Sequence, residues 1–150
     1  MSIKSVVFSG WIICLAIIAS PASAENDLQA MLRRIQEYSA AGNYPAALTE
    51  AERWTSTIKS RMGSNSSAHG AGLDQIARVY QLQGRYSEAE TFSKRAVAIV
   101  EKAKGPNDPY TAEIINNLGI VYQRQGKFNE ALEIFQRELS IYEAMKGSTD

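Results

Sequence analysis

Apolar and polar positions along the chain alternate with spacings of three and four, in stretches that come in pairs. Ile114, Ile115, Leu118, Val121 and Tyr122 recur at the interval that lays side chains along one helical face. Phe128, Ala131, Leu132, Phe135, Leu139 and Tyr142 do the same in a second stretch. Asp108 is placed to cap the first helix, and Pro109 falls in its opening turn, where a missing amide hydrogen does no harm. Gly126 ends that helix, as a residue free to take positive φ should, and Gly147 ends the second. No strand is predicted.

The pair is one copy of a repeated unit. A shift of 42 residues superimposes Gly42, Gly84 and Gly126, and likewise Gly63, Gly105 and Gly147. It also aligns Tyr38 with Tyr80 and Tyr122, Tyr44 with Tyr86 and Phe128, and Ala47 with Ala89 and Ala131. The alanine column suits a crossing point where only a short side chain lets two helices approach. In the first copy, Asp27 is expected to cap a helix to about Ala41, burying Leu28, Met31, Leu32, Ile35 and Tyr38. Asn43 caps the next, to about Arg61. The run from Gly63 to Gly70 reads as a small, polar, mobile linker. The second copy starts near Ala68, turns Leu73, Ile76, Ala77, Val79 and Tyr80 inward, and continues after Gly84 with Tyr86, Ala89, Phe92, Ala96, Val97, Ile99 and Val100. A fixed period of this length marks stacked units, none able to bury its apolar face alone.

The stretches INNLGIVYQRQGKFNEALEIFQRELSIYE at 115 to 143 and IARVYQLQGRYSEAETFSKRAVAIVE at 76 to 101 resemble the tetratricopeptide repeat. The period, longer than the ~34 residues of the common form, and the Gly-Pro-Asn-Asp-Pro link at 105 to 109 resemble the kinesin-light-chain type. The copy at 35 to 59 is degenerate: Arg34 stands where Ile76 and Leu118 stand, and Trp54 where Ala96 stands. The resemblance implies an all-α, right-handed helical-hairpin solenoid of three repeats at about 27 to 63, 69 to 105 and 109 to 147. It further implies that the first helix of each pair lines a concave surface holding an extended peptide or a helix. Carried over by position, that face presents Asp74, Arg78 and Gln81, then Glu113, Asn116, Ile120, Gln123 and Arg124, with Gln29, Leu32 and Gln36 from the degenerate copy. Asn117 is expected at the helix edge. The lysine and asparagine clamp of chaperone-binding members has no counterpart at Gln29, Leu32 and Gln36.

The first residues read as an address. Lys4 precedes an apolar run from Val6 to Ile18, too short for the ~20 residues that span a bilayer, and small residues at Ala22 and Ala24 complete a secretory signal over 1 to 24. The only cysteine, Cys14, lies within it, so the exported chain would hold no disulfide. Loss of Lys4 leaves 15 basic against 16 acidic residues, no footprint for nucleic acid. A bacterial periplasm or the exterior is the expected location.

No catalytic constellation emerges. There is one histidine, so no paired-histidine zinc site, and no glycine-rich phosphate cradle follows a strand. Ser64, Ser66 or Ser67 with His69 lacks an anchored acid to orient it. Glu88, Glu90, Glu130 and Glu133 read as a solvated outer face. No enzyme activity, cofactor or metal is predicted. The expected function is a protein-interaction scaffold of the cell envelope. Gly147-Ser148-Thr149-Asp150 matches the link that opens a further helix, so the last helix is expected to expose Ile134, Leu139, Ile141 or Tyr142. Two alternatives follow: homo-oligomerisation through that C-terminal face, or service as the recognition half of a longer protein with a catalytic domain such as a caspase-like protease.

Overall fold

A computed structural model of the chain describes the backbone of residues 21–147 and the side chains of residues 26–147. Six helices follow one another: α1 (Pro21–Ala40), α2 (Tyr44–Met62), α3 (Ser67–Leu82), α4 (Tyr86–Lys104), α5 (Pro109–Arg124) and α6 (Phe128–Gly147). No strand occurs among the described residues. Each helix packs on the next in sequence, and α3 also touches α5, which makes a helical solenoid. No helix of the described residues is long and apolar enough to cross a membrane.

One turn recurs inside each pair. Gly42, Gly84 and Gly126 take φ of 71°, 73° and 75°. The next amide then reaches back to the tyrosine carbonyl five residues earlier: Asn43 to Tyr38 at 2.8 Å, Arg85 to Tyr80 at 2.9 Å, Lys127 to Tyr122 at 2.9 Å. That bond fixes the same turn in each copy and accounts for the glycine column. Two of the three expected capping side chains are in place: Asn43 Oδ1 accepts from the Ala46 amide, and Asp108 Oδ1 from the Tyr110 amide at 2.8 Å.

Two element boundaries differ from expectation. Helix α1 already covers residues 21–26, so Asp27 lies within it and caps nothing. Neither glycine nor proline occurs between Pro21 and Asp27 to interrupt the helix. Residues 1–20 of the expected signal lie outside the described residues. The linker expected over 63 to 70 shrinks to residues 63–66, because Ser66 Oγ accepts from the His69 amide at 3.2 Å and starts α3. His69 and Gly70 are therefore buried, with His69 Nδ1 2.8 Å from the Ser64 carbonyl.

Helix spacing is set by residues without bulk. A Cβ on Gly72 would stand 2.6 Å from Thr55 Oγ1, and one on Gly70 would stand 2.5 Å from Val100 Cγ2 and 3.2 Å from the Ala96 carbonyl. Within the third pair, a Cβ on Gly119 would meet Phe135 Cε1 at 2.5 Å. The equivalent positions divide the space differently: Ile35 with Ala51, two small residues in Ala77 with Ser93, and Gly119 with Phe135. In the first and third pairs a large residue stands opposite a small one. The degenerate copy makes a different exchange. Arg34 replaces the aliphatic residue of the other copies and donates from Nε to Glu50 Oε1 at 2.9 Å, while Glu50 stands where Phe92 and Ile134 stand.

The Gly72 contact is testable. Gly72→Ala is expected to destabilise by about 1–3 kcal/mol despite alanine's better helix propensity, because Thr55 is buried and bonded to the Ala51 carbonyl at 2.7 Å and cannot yield. Adding Thr55→Ala should recover part of that loss in urea unfolding. A Gly72→Ala protein as stable as the parent would refute the close approach.

Candidate functional site

The C-terminal halves of α3 and α5 run side by side and leave a cleft between them. Arg78, Gln81 and Leu82 of α3 face Asn117 and Ile120 of α5 around about 240 Å³. The cleft continues past Gln81, Leu82 and Ile120 to Tyr86 and Arg124, adding about 280 Å³. Leu82, 53% exposed, and Ile120 give it an apolar middle. Arg78 and Arg124 give it two cationic ends.

The wall carrying Tyr86 is held by polar contacts from the next repeat. Gln125 Nε2 donates to the Tyr86 carbonyl at 2.9 Å, and Lys127 Nζ pairs with Glu90 Oε2 at 2.7 Å. Lys94 Nζ takes the other Glu90 oxygen at 2.5 Å. Burial alone would raise the Glu90 carboxyl, but the bonds from Lys127, Lys94 and Gln125 outweigh it and hold the group at about 2.

Beneath the cleft lies Asp74, expected on the open face and found 3% exposed. Its Oδ2 accepts from Asn117 Nδ2 at 2.9 Å, and its Oδ1 is buried without a partner in the protein. Burial pushes this carboxyl up to about 6, against the pull of the Arg78 guanidinium and the Asn117 amide, with Glu113 adding to the rise. Asp74 is a floor residue that orients Asn117.

The other expected residues divide. Arg78, Gln81, Ile120 and Arg124 line the cleft. Asn116 does not: its Nδ2 donates to Glu138 Oε2 on α6 at 2.7 Å, and its neighbour Asn117 takes the place expected of it. Glu113 and Gln123 are exposed on α5 outside the lining, as are Gln29 and Gln36 on α1. Leu32 is half-buried against the core. Sequence reading missed Asn117 and Leu82. The signal for Leu82 was a large apolar residue off the buried face, two residues before the Gly84 stop. Among the described residues, no group of three or more His, Cys, Asp or Glu side chains could hold a metal ion. The Ser66 hydroxyl donates to the Gly63 carbonyl and accepts the His69 amide, so it serves the α3 cap.

A family model described as the tetratricopeptide repeat matches residues 69–144. A search of curated proteins found no match. Among solved structures, a Podosopora anserina protein with nearly identical, kinesin-light-chain-type TPR-like repeats superimposes with a TM-score of 0.69 at 23% identity, over 77% of this chain and 55% of that one. BtubC (BKLC) from P. vanneervenii gives a TM-score of 0.73 at 22% identity, over 83% of this chain and 53% of that one. At such identities the likeness speaks for the fold. The chain spans about half the length of the solved structures it resembles.

The buried Asp74 makes stability depend on pH in a defined direction. Its folded value near 6 lies above the 3.8 of an unperturbed carboxyl, so the folded chain binds the proton more tightly. This contribution is full below pH ~4 and fades as pH rises through ~6, a change of about 2–3 kcal/mol. Asp74→Asn should therefore flatten the stability profile between pH 4 and 6.5 and raise the melting temperature at pH 7.5. A lower melting temperature at pH 7.5 would show that the ionised carboxylate is favourable where it stands.

Proposed function

The chain belongs to the tetratricopeptide repeat family, and from that premise we propose that it is a non-catalytic scaffold holding an extended peptide in the cleft between α3 and α5. Repeats of this family generally mediate protein–protein interaction. The observation that carries the reading is the make-up of the cleft: an apolar middle, Leu82 and Ile120, between two arginines, with the Gln81 and Asn117 amides beside it. A side-chain amide donates and accepts at once and suits a ligand's peptide units. The arginines favour carboxylates at the two ends of the bound segment. Asp74 holds the Asn117 amide in one orientation, which lowers the ordering cost of binding. The leader-like residues 1–24 support a place outside the cytoplasm, in a bacterial envelope or beyond it.

A second reading concerns α6. Leu139 and Tyr142, 57% and 39% exposed, stand where Val97 and Val100 of α4 and Thr55 and Ile58 of α2 are buried. Phe128 and Leu132, 68% and 55% exposed, extend the same stripe. In α2 this stripe meets the following helix, as the Thr55–Gly72 approach shows. Ile141, expected to be exposed, is instead 2% exposed because it faces inward against the rest of the third pair. The stripe is a stacking face, and its occupation by a second copy is the alternative function.

Both readings have a direct test. Peptides selected from a randomised display library on the full chain should bind at least tenfold more weakly to Arg78→Glu, Arg124→Glu, two substitutions in exposed side chains. Equal binding by parent and variant would remove the cleft as the site. For the second reading, sedimentation at rising concentration should show self-association that Leu139→Glu, Tyr142→Glu abolishes. A parent chain that stays monomeric throughout would end it.

A further inference from the structure

A second cleft, remote from the first, opens at the N-terminal end of α3. Trp54, Ala68, Ala71 and Tyr110 supply its apolar lining, and Ser67 and Lys104 its polar groups, around about 410 Å³. The repeat register explains why it occurs here. Ala68 occupies the position that Tyr110 fills one repeat later, and Trp54 the position of Ala96. At this junction the unit has lost a phenol ring and gained an indole, which leaves a hollow with one aromatic wall from each side.

The polar groups of the hollow are the Ser67 hydroxyl and the exposed Lys104 ammonium, beside the start of the 16-residue α3. Ser66 satisfies the amides of His69 and Gly70 there. That leaves those of Ser67 and Ala68 as donors with no helical acceptor, at the positive end of the helix dipole. At the Tyr110 wall the field is negative: burial raises the phenol, and Asp74 and Glu113 raise it further. Trp54 is 8% exposed, and its indole N–H has no acceptor in the protein.

We infer that this cleft binds a small apolar carboxylic acid: an aromatic or branched hydrocarbon body between Trp54 and Tyr110, with one carboxylate at Ser67, Lys104 and the α3 amides. The Lys104 ammonium and the Ser67 hydroxyl set the orientation. The volume is within the range of small-molecule sites, roughly 300–1,000 Å³, and fits a body of one or two rings. The same chemistry can be presented by a free acid or by the last residue of a peptide, and the test separates them.

The experiment is calorimetric titration of the full chain with 3-phenylpropionate, its amide, and a Gly-Gly-Phe peptide with a free or amidated end. The acid should bind at least tenfold more tightly than the amide. Ala68→Tyr, which restores the residue of the next repeat, should abolish binding by filling the hollow. Lys104→Glu, an exposed change, should weaken the acid at least tenfold and leave the amide unchanged. Arg78→Glu, Arg124→Glu should bind the acid as the parent does, which separates this site from the peptide cleft. Binding of the free acid alone assigns a small molecule; binding of the free-ended peptide as well assigns a chain terminus. No binding at millimolar acid, equal affinity for acid and amide, or an unchanged Lys104→Glu would each overturn the site. The Lys104→Glu arm decides if Ala68→Tyr fails to fold by circular dichroism.

Discussion

Everything in this structure depends on how closely neighbouring helices can approach. Each helix has an apolar stripe that it cannot bury alone, and burial of that stripe, at roughly 25 cal/mol per Å², is the main favourable term. The distance is set by residues that lack bulk: Gly70 under Val100, Gly72 under Thr55, Gly119 under Phe135, and the alanine column at 47, 89 and 131. The ordering of α3 against α5 is a by-product of that spacing, and so is the peptide cleft. Its Asp74–Asn117 bond spans two first helices at 2.9 Å, a distance available only because the intervening α4 lets them come together.

The fold was legible because the signals for it are local and repeated. Glycine at 42, 84 and 126 and tyrosine four residues before it in each copy encode one turn, and the periodic apolar face encodes each helix. The boundaries that failed were those where the deciding partner is distant or upstream. Gly70 looks like linker in sequence; it is helical because Ser66 caps α3 ahead of it, and α4 leaves no space for a side chain there. Asp27 looks like a cap and is interior because the helix already covers the six residues before it.

The site was legible only in outline. Arg78, Gln81 and Arg124 follow from register alone, since any residue at those positions faces the same way. Asn116 and Asn117 are one helical step, about 100°, apart. Which of them faces the cleft depends on the rotation of α5 against α3, which no local pattern records. The burial of Asp74 was hidden for a similar reason: its counterparts are Leu32 and Asn116, one apolar and one polar, so the column does not declare its side. The Trp54–Tyr110 hollow could be seen only once helices from three repeats were placed.

The contact between Thr55 and Gly72 has a consequence at the level of the gene. Tandem repeats of equal length invite unequal recombination, and a deletion between Gly63 and Gly105 would keep the reading frame, the helix turns and the volume balance inside each surviving pair. It would also bring α2 onto α5, setting Ile114 where Gly72 stands and where even a single methyl group meets Thr55 at 2.6 Å. Each surviving unit keeps its own interior; the joint between them is what the deletion breaks. Repeat order is thereby written into the junctions, and a shuffled copy of this chain would be selected against through its failure to stack, whatever the fate of its binding cleft.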